Sequence, residues 1–357
     1  MKIRSNFKEY SVIIERDINF LRNLLTIDNA GYVIDRNVYL LYNEWLSGIP
    51  QERLFLIDAV EENKTLETAL EICEKMTEIP AKRNAVLVSV GGGIIQDITG
   101  FVANILYRGI KWIFVPTTLL ASCDSCIGGK TSLNYKKYKN LLGTFYPPDE
   151  IHICAQFFMT LSNKDFKSGL GEVVKFNIMA GEAGLTAIED NIAGLLEREN
   201  GVIHDFVESS LLFKKSFIEI DEFDRGERIK LNFAHTFGHA IEVITEYVIP
   251  HGTAVAIGMI MANSISAKRG LLTGEIVERS EKVLLQVIDI DDTLLDKTTE
   301  EYIRIMRKDK KQTGASLTAV LMCGQNSTQN LIIVHDLTAE EVRSSVDHFL
   351  HAYRNKY

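Results

Sequence analysis

The chain has 357 residues, of which 46% are hydrophobic and 24% charged, an ordinary globular composition that excludes a disordered or fibrous protein. Its length exceeds what one hydrophobic core usually fills, so two domains are expected. The formal charge of -9 excludes a general nucleic-acid binder, which needs a basic surface to displace phosphate counterions; positive charge gathered in a pocket would be local.

Five cysteines, Cys73, Cys123, Cys126, Cys154 and Cys323, are odd in number and scattered, which suits a reducing compartment better than a disulfide framework. Cys123 and Cys126 form a CxxC with no second pair to complete a zinc knuckle, so buried small residues are the simpler reading. The first ten residues lack the apolar core of a signal peptide, and no apolar run reaches membrane-spanning length. A cytoplasmic protein with no membrane partner is expected.

In chain order, residues 8 to 15 and 31 to 35 read as strands, the second ending in Asp35, where a carboxylate is well placed to bind a ribose in an open α/β sheet. Residues 53 to 58 give another strand, and Glu61 to Lys64 open a helix running to about residue 78. Strand, helix and strand alternate, the pattern of a parallel sheet. Residues 85 to 90 form a central strand that stops at Gly91, Gly92 and Gly93, followed by Asp97 and an apolar helix. Glycines between strand and helix let backbone amides approach a pyrophosphate at the helix N-terminus. The spacing is not GxGxxG, and a tight turn without a ligand is the competing reading. After Arg108, a strand over residues 112 to 115 ends in Pro116, Thr117 and Thr118. Asp124 then leads to a second glycine turn carrying Lys130, and Lys139 and Asn140 follow. Gly128 to Thr131 share residues with a P-loop but lack its GxxxxGK[ST] spacing, so they read as a pocket wall.

Prolines thin out after Pro148 and helical periodicity takes over, which places a domain boundary near residue 155. The expected architecture is an α/β domain over residues 1 to 155 and a mostly helical domain over residues 156 to 357. In the second half, Glu172 and Lys175 stand at i, i+3 within an apolar run, where an unpaired charge is costly. Lys214, Asp221 and Glu222 read singly as surface charges, as do Asp309, Lys310 and Lys311 before an apolar strand over residues 317 to 322. Between them, Arg228, Asn232, His235 and His239 are spaced to form one polar stripe on a helix whose other face carries Ile229, Phe233, Phe237 and Ile241.

Glu172, His235 and His251 come from three separated segments and make a carboxylate-and-two-histidine set suited to Zn²⁺ or a similar ion, with coordination positions left open for chemistry. An alcohol bound there would lose its proton more easily, and a nicotinamide cofactor on the glycine loop would accept the hydride. Arg108, Lys130, Lys175, Lys214, Arg228 and one lysine of the 310 to 311 pair supply cations, with Asn140, Asn232 and His239 as neutral donors. So many cations in an acidic chain imply a strongly anionic small-molecule substrate, such as a phosphate plus a carboxylate.

The motifs GGGIIQD, YRG, VPTTLL, DSCIGGKT, KNLLGTFYPP, GLGEVVK, DEFDRGERIKLNFAHTFGHAIE and HGTAVAIGM, in that order over about residues 60 to 325, resemble the 3-dehydroquinate synthases and, more broadly, the sugar phosphate cyclases. The resemblance implies a Rossmann-like N-terminal domain holding NAD, a helical C-terminal domain holding a divalent metal such as zinc or cobalt, an active site in the cleft between them, and a homodimer. It implies conversion of 3-deoxy-arabino-heptulosonate 7-phosphate to 3-dehydroquinate and phosphate, in the shikimate pathway, by oxidation, phosphate elimination, reduction and aldol closure. By motif, Glu172, His235 and His251 match the metal ligands. Lys130, Asn140, Lys175, Lys214, Arg228, Asn232, His239 and Lys310 match substrate-pocket positions, with His239 a proton shuttle. Arg108 matches one that reaches the phosphate from a neighbouring subunit. Asp35, Glu61, Lys64, Gly91, Gly92, Gly93, Asp97, Thr117, Thr118, Asp124, Lys130 and Lys139 match cofactor positions.

The chain departs from that pattern at Gln96, where a small residue is usual, at Val60 and Tyr138, where glycine is, and at Thr253, where glutamate is. Tyr138 and Thr253 border the expected site and leave room for a different sugar phosphate, such as sedoheptulose 7-phosphate or glucose 6-phosphate. A metal-dependent polyol dehydrogenase and a catalytically silent NAD-binding protein are the remaining alternatives.

Overall fold

The computed structural model describes residues 1–80, 82–136, 138–295, 297–308, 317–324 and 331–356. Lys310 and Lys311, the late lysine candidates, lie outside the described residues. The chain divides into two compact units, Met1–Leu161 with Ile218–Phe223, and Ser162–Phe217 with Asp224–Tyr357.

The first unit is built on a seven-stranded sheet. Its strands are β1 (Lys2–Ile3), β2 (Tyr10–Glu15), β3 (Ala30–Asp35), β4 (Leu54–Ile57), β5 (Val86–Gly91), β6 (Lys111–Pro116) and, after the hairpin β7 (Lys130–Tyr135) and β8 (Tyr138–Phe145), β9 (Glu150–Cys154). The order is β1-β2-β9-β6-β5-β3-β4, parallel except for the antiparallel edge strand β1. Runs such as Leu87, Val88, Val90, Phe114 and Val115 are buried, as strands covered on both faces must be. The helices are α1 (Leu21–Leu24), α2 (Arg36–Leu41), α3 (Asn43–Leu46), α4 (Leu66–Met76) and α5 (Gly93–Ile105). The helix expected to open at Glu61 instead starts at Leu66, because the Thr65 hydroxyl caps it by accepting from the Thr68 amide; Glu61–Asn63 form a separate turn. Connections run outward from β3 to β4 on one side and from β5 to β6 on the other. The order therefore reverses between β3 and β5, and their carboxyl ends, Asp35 and Gly91, frame the crevice where open α/β sheets take ligands.

The second unit is helical: α6 (Asn163–Met179), α7 (Glu182–Leu196), α8 (Asn200–Ile218), α9 (His235–Ile244), α10 (His251–Lys268), α11 (Gly274–Val287), α12 (Thr299–Met306) and α13 (Ala339–Arg354), with an antiparallel pair β10 (Leu317–Met322) and β11 (Leu331–Leu337). Every residue of α10 from Gly252 to Ser266 is buried, so this helix is the axis of the unit, with α6, α9, α11 and α13 packed around it. No helix among the described residues is long and apolar enough to cross a membrane.

Two expectations are corrected here. Arg228 to His239 do not lie on one helix: Glu227–Asn232 form a tight 3₁₀ segment, Phe233 is extended and Ala234 is left-handed at φ 67°, before α9 begins at His235. The continuous stripe is broken, and only His235 and His239 share a helix face. Lys214 and Glu222 are not surface charges, being 6% exposed each. Glu222 accepts from the Ser5 hydroxyl and from the backbone and side-chain amides of Asn6, within the first unit.

Candidate metal and cofactor sites

The second unit carries the metal candidates, and glycine contacts bring them together. Gly171 on α6 and Gly252 on α10 meet backbone to backbone: a Cβ at Gly171 would lie 2.0 Å from the Gly252 carbonyl oxygen, and one at Gly252 would lie 1.8 Å from the Ser168 oxygen. Each glycine is the sequence neighbour of a candidate ligand, so this contact sets Glu172 beside His251. Likewise a Cβ at Gly258 would lie 2.5 Å from the Ala234 oxygen, which lets α9 close on α10 and delivers His235.

The result is a convergent triad. Glu172 Oε1 lies 3.7 Å from His235 Nε2 and 3.4 Å from His251 Nε2, and one ligand atom from each residue fits within a 4.8 Å span. Both rings have their second nitrogen engaged. His235 Nδ1 sits 3.0 Å from the Phe233 carbonyl, which can only accept, so Nδ1 carries the proton and Nε2 offers its lone pair inward. His251 Nδ1 meets Glu242 Oε2 at 3.1 Å. Burial alone favours a neutral His251, but the hydrogen bonds and charges of Glu172 and Glu242 outweigh it and push the ring up to about 10. Surroundings this negative select a cation, and a divalent ion there would compete with that proton. Donor types, oriented lone pairs and charge therefore all fit a divalent metal.

Glu172 is fully buried and ion-paired with Lys175, which is 1% exposed and stands over the Phe176 ring at 4.3 Å. His239, half-buried, has its ring centroid 5.5 Å from that of His235 and 6.0 Å from that of His251. Lys214 on α8 and Arg228 in the 3₁₀ segment are buried cations of the same unit, and Asn232 donates to the Ile229 carbonyl.

The first unit gathers the cofactor candidates at the carboxyl ends of its strands. Thr117 N–H donates to the Gly91 carbonyl, tying the loops after β5 and β6, and a Cβ at Gly92 would come within 3.1 Å of the Thr118 methyl, so the two loops lie in close approach there. Gly93 begins α5. Asp35 caps α2 by accepting from the Asn37 amide, and burial pushes its carboxyl up from the usual range. Lys64, 5% exposed, is ion-paired with Asp97 and donates to Asn140 Oδ1 at 2.7 Å. Burial raises the Asp97 carboxyl, opposed by the Lys64 charge and the Ser132 hydrogen bonds. Lys130 and Lys139 are exposed on the hairpin strands, Asp124 is half-buried in a π-helical turn over Ala121–Ser125, and Arg108 is exposed in a left-handed turn at φ 66°.

Several contributors escaped sequence reasoning. Ser132 donates to Asp97 from its backbone and hydroxyl, and Asn134 holds Glu61 through its amide while accepting from the Asn140 N–H. Their alternation with buried Thr131 and Leu133 marks a half-buried strand, a signal available from period alone. Glu242, which orients His251, sits at i+3 from His239 and carried no signal of its own.

The structure of ValA, a 2-epi-5-epi-valiolone synthase from Streptomyces hygroscopicus subsp. jinggangensis 5008 with NAD⁺ and Zn²⁺ bound, is similar with a TM-score of 0.83 and 26% identity, over 98% of this chain and 99% of that one. This likeness sets the chain with the sugar phosphate cyclases. Family models described as 3-dehydroquinate synthase N-terminal and 3-dehydroquinate synthase C-terminal match residues 54–168 and 169–312. The 3-dehydroquinate synthase of Clostridium tetani (strain Massachusetts / E88) is 42% identical over 70% of this chain and 68% of its own length. That of Dictyoglomus thermophilum is 35% identical over 90% and 91%. The chain belongs to the 3-dehydroquinate synthase family.

Proposed function

We propose that the chain converts 3-deoxy-arabino-heptulosonate 7-phosphate to 3-dehydroquinate and phosphate, with NAD on the first unit and a divalent metal, Zn²⁺ or Co²⁺, on the second. The observation that carries this reading is the triad of Glu172, His235 and His251 in the same unit as three buried cations, in a chain 42% identical to a named synthase. When bound, the metal acidifies a substrate hydroxyl and NAD takes up and returns a hydride, so no NADH accumulates.

The remaining work falls to side chains. Glu172, His235 and His251 would hold the metal, with the Phe233 carbonyl and Glu242 fixing ring orientation. Lys175, Lys214 and Arg228, buried cations of the unit that carries the triad, would bind the substrate's carboxylate and phosphate through charge-assisted hydrogen bonds. Lys130, Asn140 and Asn232 would orient its hydroxyls, and His239 would move a proton at the substrate, its ring being outside the ligand triad yet beside it. Asp35, Glu61, Lys64, Gly91 to Gly93, Asp97, Thr117, Thr118, Asp124, Lys130 and Lys139 form the proposed cofactor set. Arg108 would serve a neighbouring subunit of a homodimer.

Phosphate release by purified protein with NAD and Zn²⁺ or Co²⁺ tests this, comparing 3-deoxy-arabino-heptulosonate 7-phosphate with sedoheptulose 7-phosphate and glucose 6-phosphate. Release from the first alone, without net NADH, is expected. Preference for either other sugar overturns the substrate assignment and directs attention to Tyr138 and Thr253.

A further inference from the structure

Gln96 is the residue of the glycine loop that neither the fold nor the proposed chemistry accounts for. Its side chain sits in the first turn of α5 and is only 3% exposed, an unfavourable place for an amide unless its hydrogen bonds are made. Both ends are engaged by one residue: Nε2 donates to the Ser125 carbonyl at 2.6 Å, and Oε1 accepts from the Ser125 hydroxyl at 2.6 Å. The Ser125 carbonyl can only accept, so the end of the amide facing it is the NH2, and the oxygen is left to accept from the hydroxyl.

Ser125 closes the π-helical turn Ala121–Ser125, whose previous residue is Asp124 and whose start is anchored on Thr118: the Ala121 amide donates to Thr118 Oγ1, and the Ser122 hydroxyl to the Thr118 carbonyl. The other end of the bridge, Gln96, stands three residues beyond Gly93. Two walls of the proposed cofactor site, the loop after β5 and the loop and turn after β6, are thus joined twice. One join is the backbone bond from Thr117 to Gly91, at the strand ends; the other is the Gln96 to Ser125 pair, one helical turn further on. The β5–β6 ladder already holds the strand ends as far as Gly91 and Pro116, so what the Gln96 to Ser125 pair adds is a hold beyond the sheet, where the ladder no longer reaches.

We infer that Gln96 and Ser125 are a paired positioning device that holds the glycine loop and the Thr118 to Asp124 turn at the separation the dinucleotide requires. Neither residue touches the cofactor in this assignment. Their effect is to prepay the ordering of both walls, which otherwise is charged against binding. The inference rests on the NAD reading of the first unit and deepens it.

The test is a double-mutant cycle on the full-length protein, with NAD affinity by titration calorimetry, Zn²⁺ affinity by chelator competition and thermal midpoint read in parallel. Gln96→Met keeps the volume and removes both hydrogen bonds; Ser125→Ala removes the hydroxyl alone. Weakening of NAD binding by about tenfold in Gln96→Met is expected, the scale of one or two lost buried hydrogen bonds. Ser125→Ala should lose less, the double variant should be no worse than Gln96→Met, and Zn²⁺ affinity should be unchanged in all three. Two results overturn the inference: NAD affinity within twofold of the parent in both single variants, whatever the thermal midpoint does, or losses that multiply in the double variant. A parent chain that binds Zn²⁺ but no NAD refutes the cofactor reading itself, and that failure is distinguished because it appears before any substitution is made.

Discussion

Replacing Gly252 by alanine probes how the metal site is assembled without touching a ligand. The added Cβ would stand 1.8 Å from the Ser168 carbonyl oxygen. An ordinary non-bonded contact is about 3.5 Å, so α6 and α10 must part by roughly 1.7 Å at this point. Neither backbone can yield cheaply, since α10 is buried along almost its whole length and the Gly252 amide also donates to Ser168 Oγ. Overpacking of this kind costs about 1–3 kcal/mol or more of stability. The larger effect is on the metal. Glu172 and His251 flank the contact, and ligand positions tolerate only about 0.2 Å, so a displacement several times larger removes one ligand from reach. Zinc affinity should fall by about 10- to 100-fold, the loss typical when the support of a metal site is disturbed. Chelator competition at equilibrium measures the affinity, and NAD titration serves as the control because the glycine loop belongs to the other unit. A Gly252→Ala protein that folds and binds zinc within threefold of the parent would refute the claim that backbone contact sets the ligand geometry.

Three further outcomes are expected. His235→Ala should abolish metal-dependent turnover while NAD binding remains measurable by titration; surviving activity would remove His235 from the ligand set. Because the metal-free site holds a proton on His251 up to about pH 10, zinc binding must expel it, and apparent affinity should rise by up to about tenfold per pH unit between pH 6.5 and 8.5. A flat profile in buffers of matched zinc affinity would contradict that proton competition. In the second unit, Glu341 takes two hydrogen bonds from Arg269, at 2.6 and 2.8 Å, which, against the opposing pull of burial, hold its carboxyl down to about 2 from the usual 4.5. The unfolded chain binds this proton first as pH falls, so the stabilisation is complete above about pH 4.5 and is lost on descent through pH 2. Screened by solvent it amounts to about 1 kcal/mol, and urea unfolding of Glu341→Gln should show that deficit at pH 7 and none near pH 2.

Much of the fold was legible in sequence because it depends on local periodicity. The apolar runs of β3, β5 and β6 and the glycines that end β5 are readable from side-chain type alone, as is the helical character of the second half. Of the candidate site, the three metal-ligand candidates were legible as residue types, a carboxylate and two imidazoles, and these the structure brings together. The continuous stripe from Arg228 to His239 failed because the periodicity of 3.6 continued in the sequence while the backbone turned at Phe233 and Ala234. That break places the Phe233 carbonyl where it holds His235 Nδ1, a requirement of the site that no local propensity encodes. Glu222 and Lys214 were misread as surface charges for a related reason, since burial is a property of the packed chain.

What the sequence determined by itself was the inventory and the order of elements, since alternation of strands and helices and the chemistry of side chains are properties of short stretches. Tertiary structure alone decided that Glu172, His235 and His251 meet. Their convergence depends on helices that approach within backbone contact at Gly171, Gly252 and Gly258, and contact between segments some 80 residues apart is written in packing and not in any single stretch of chain.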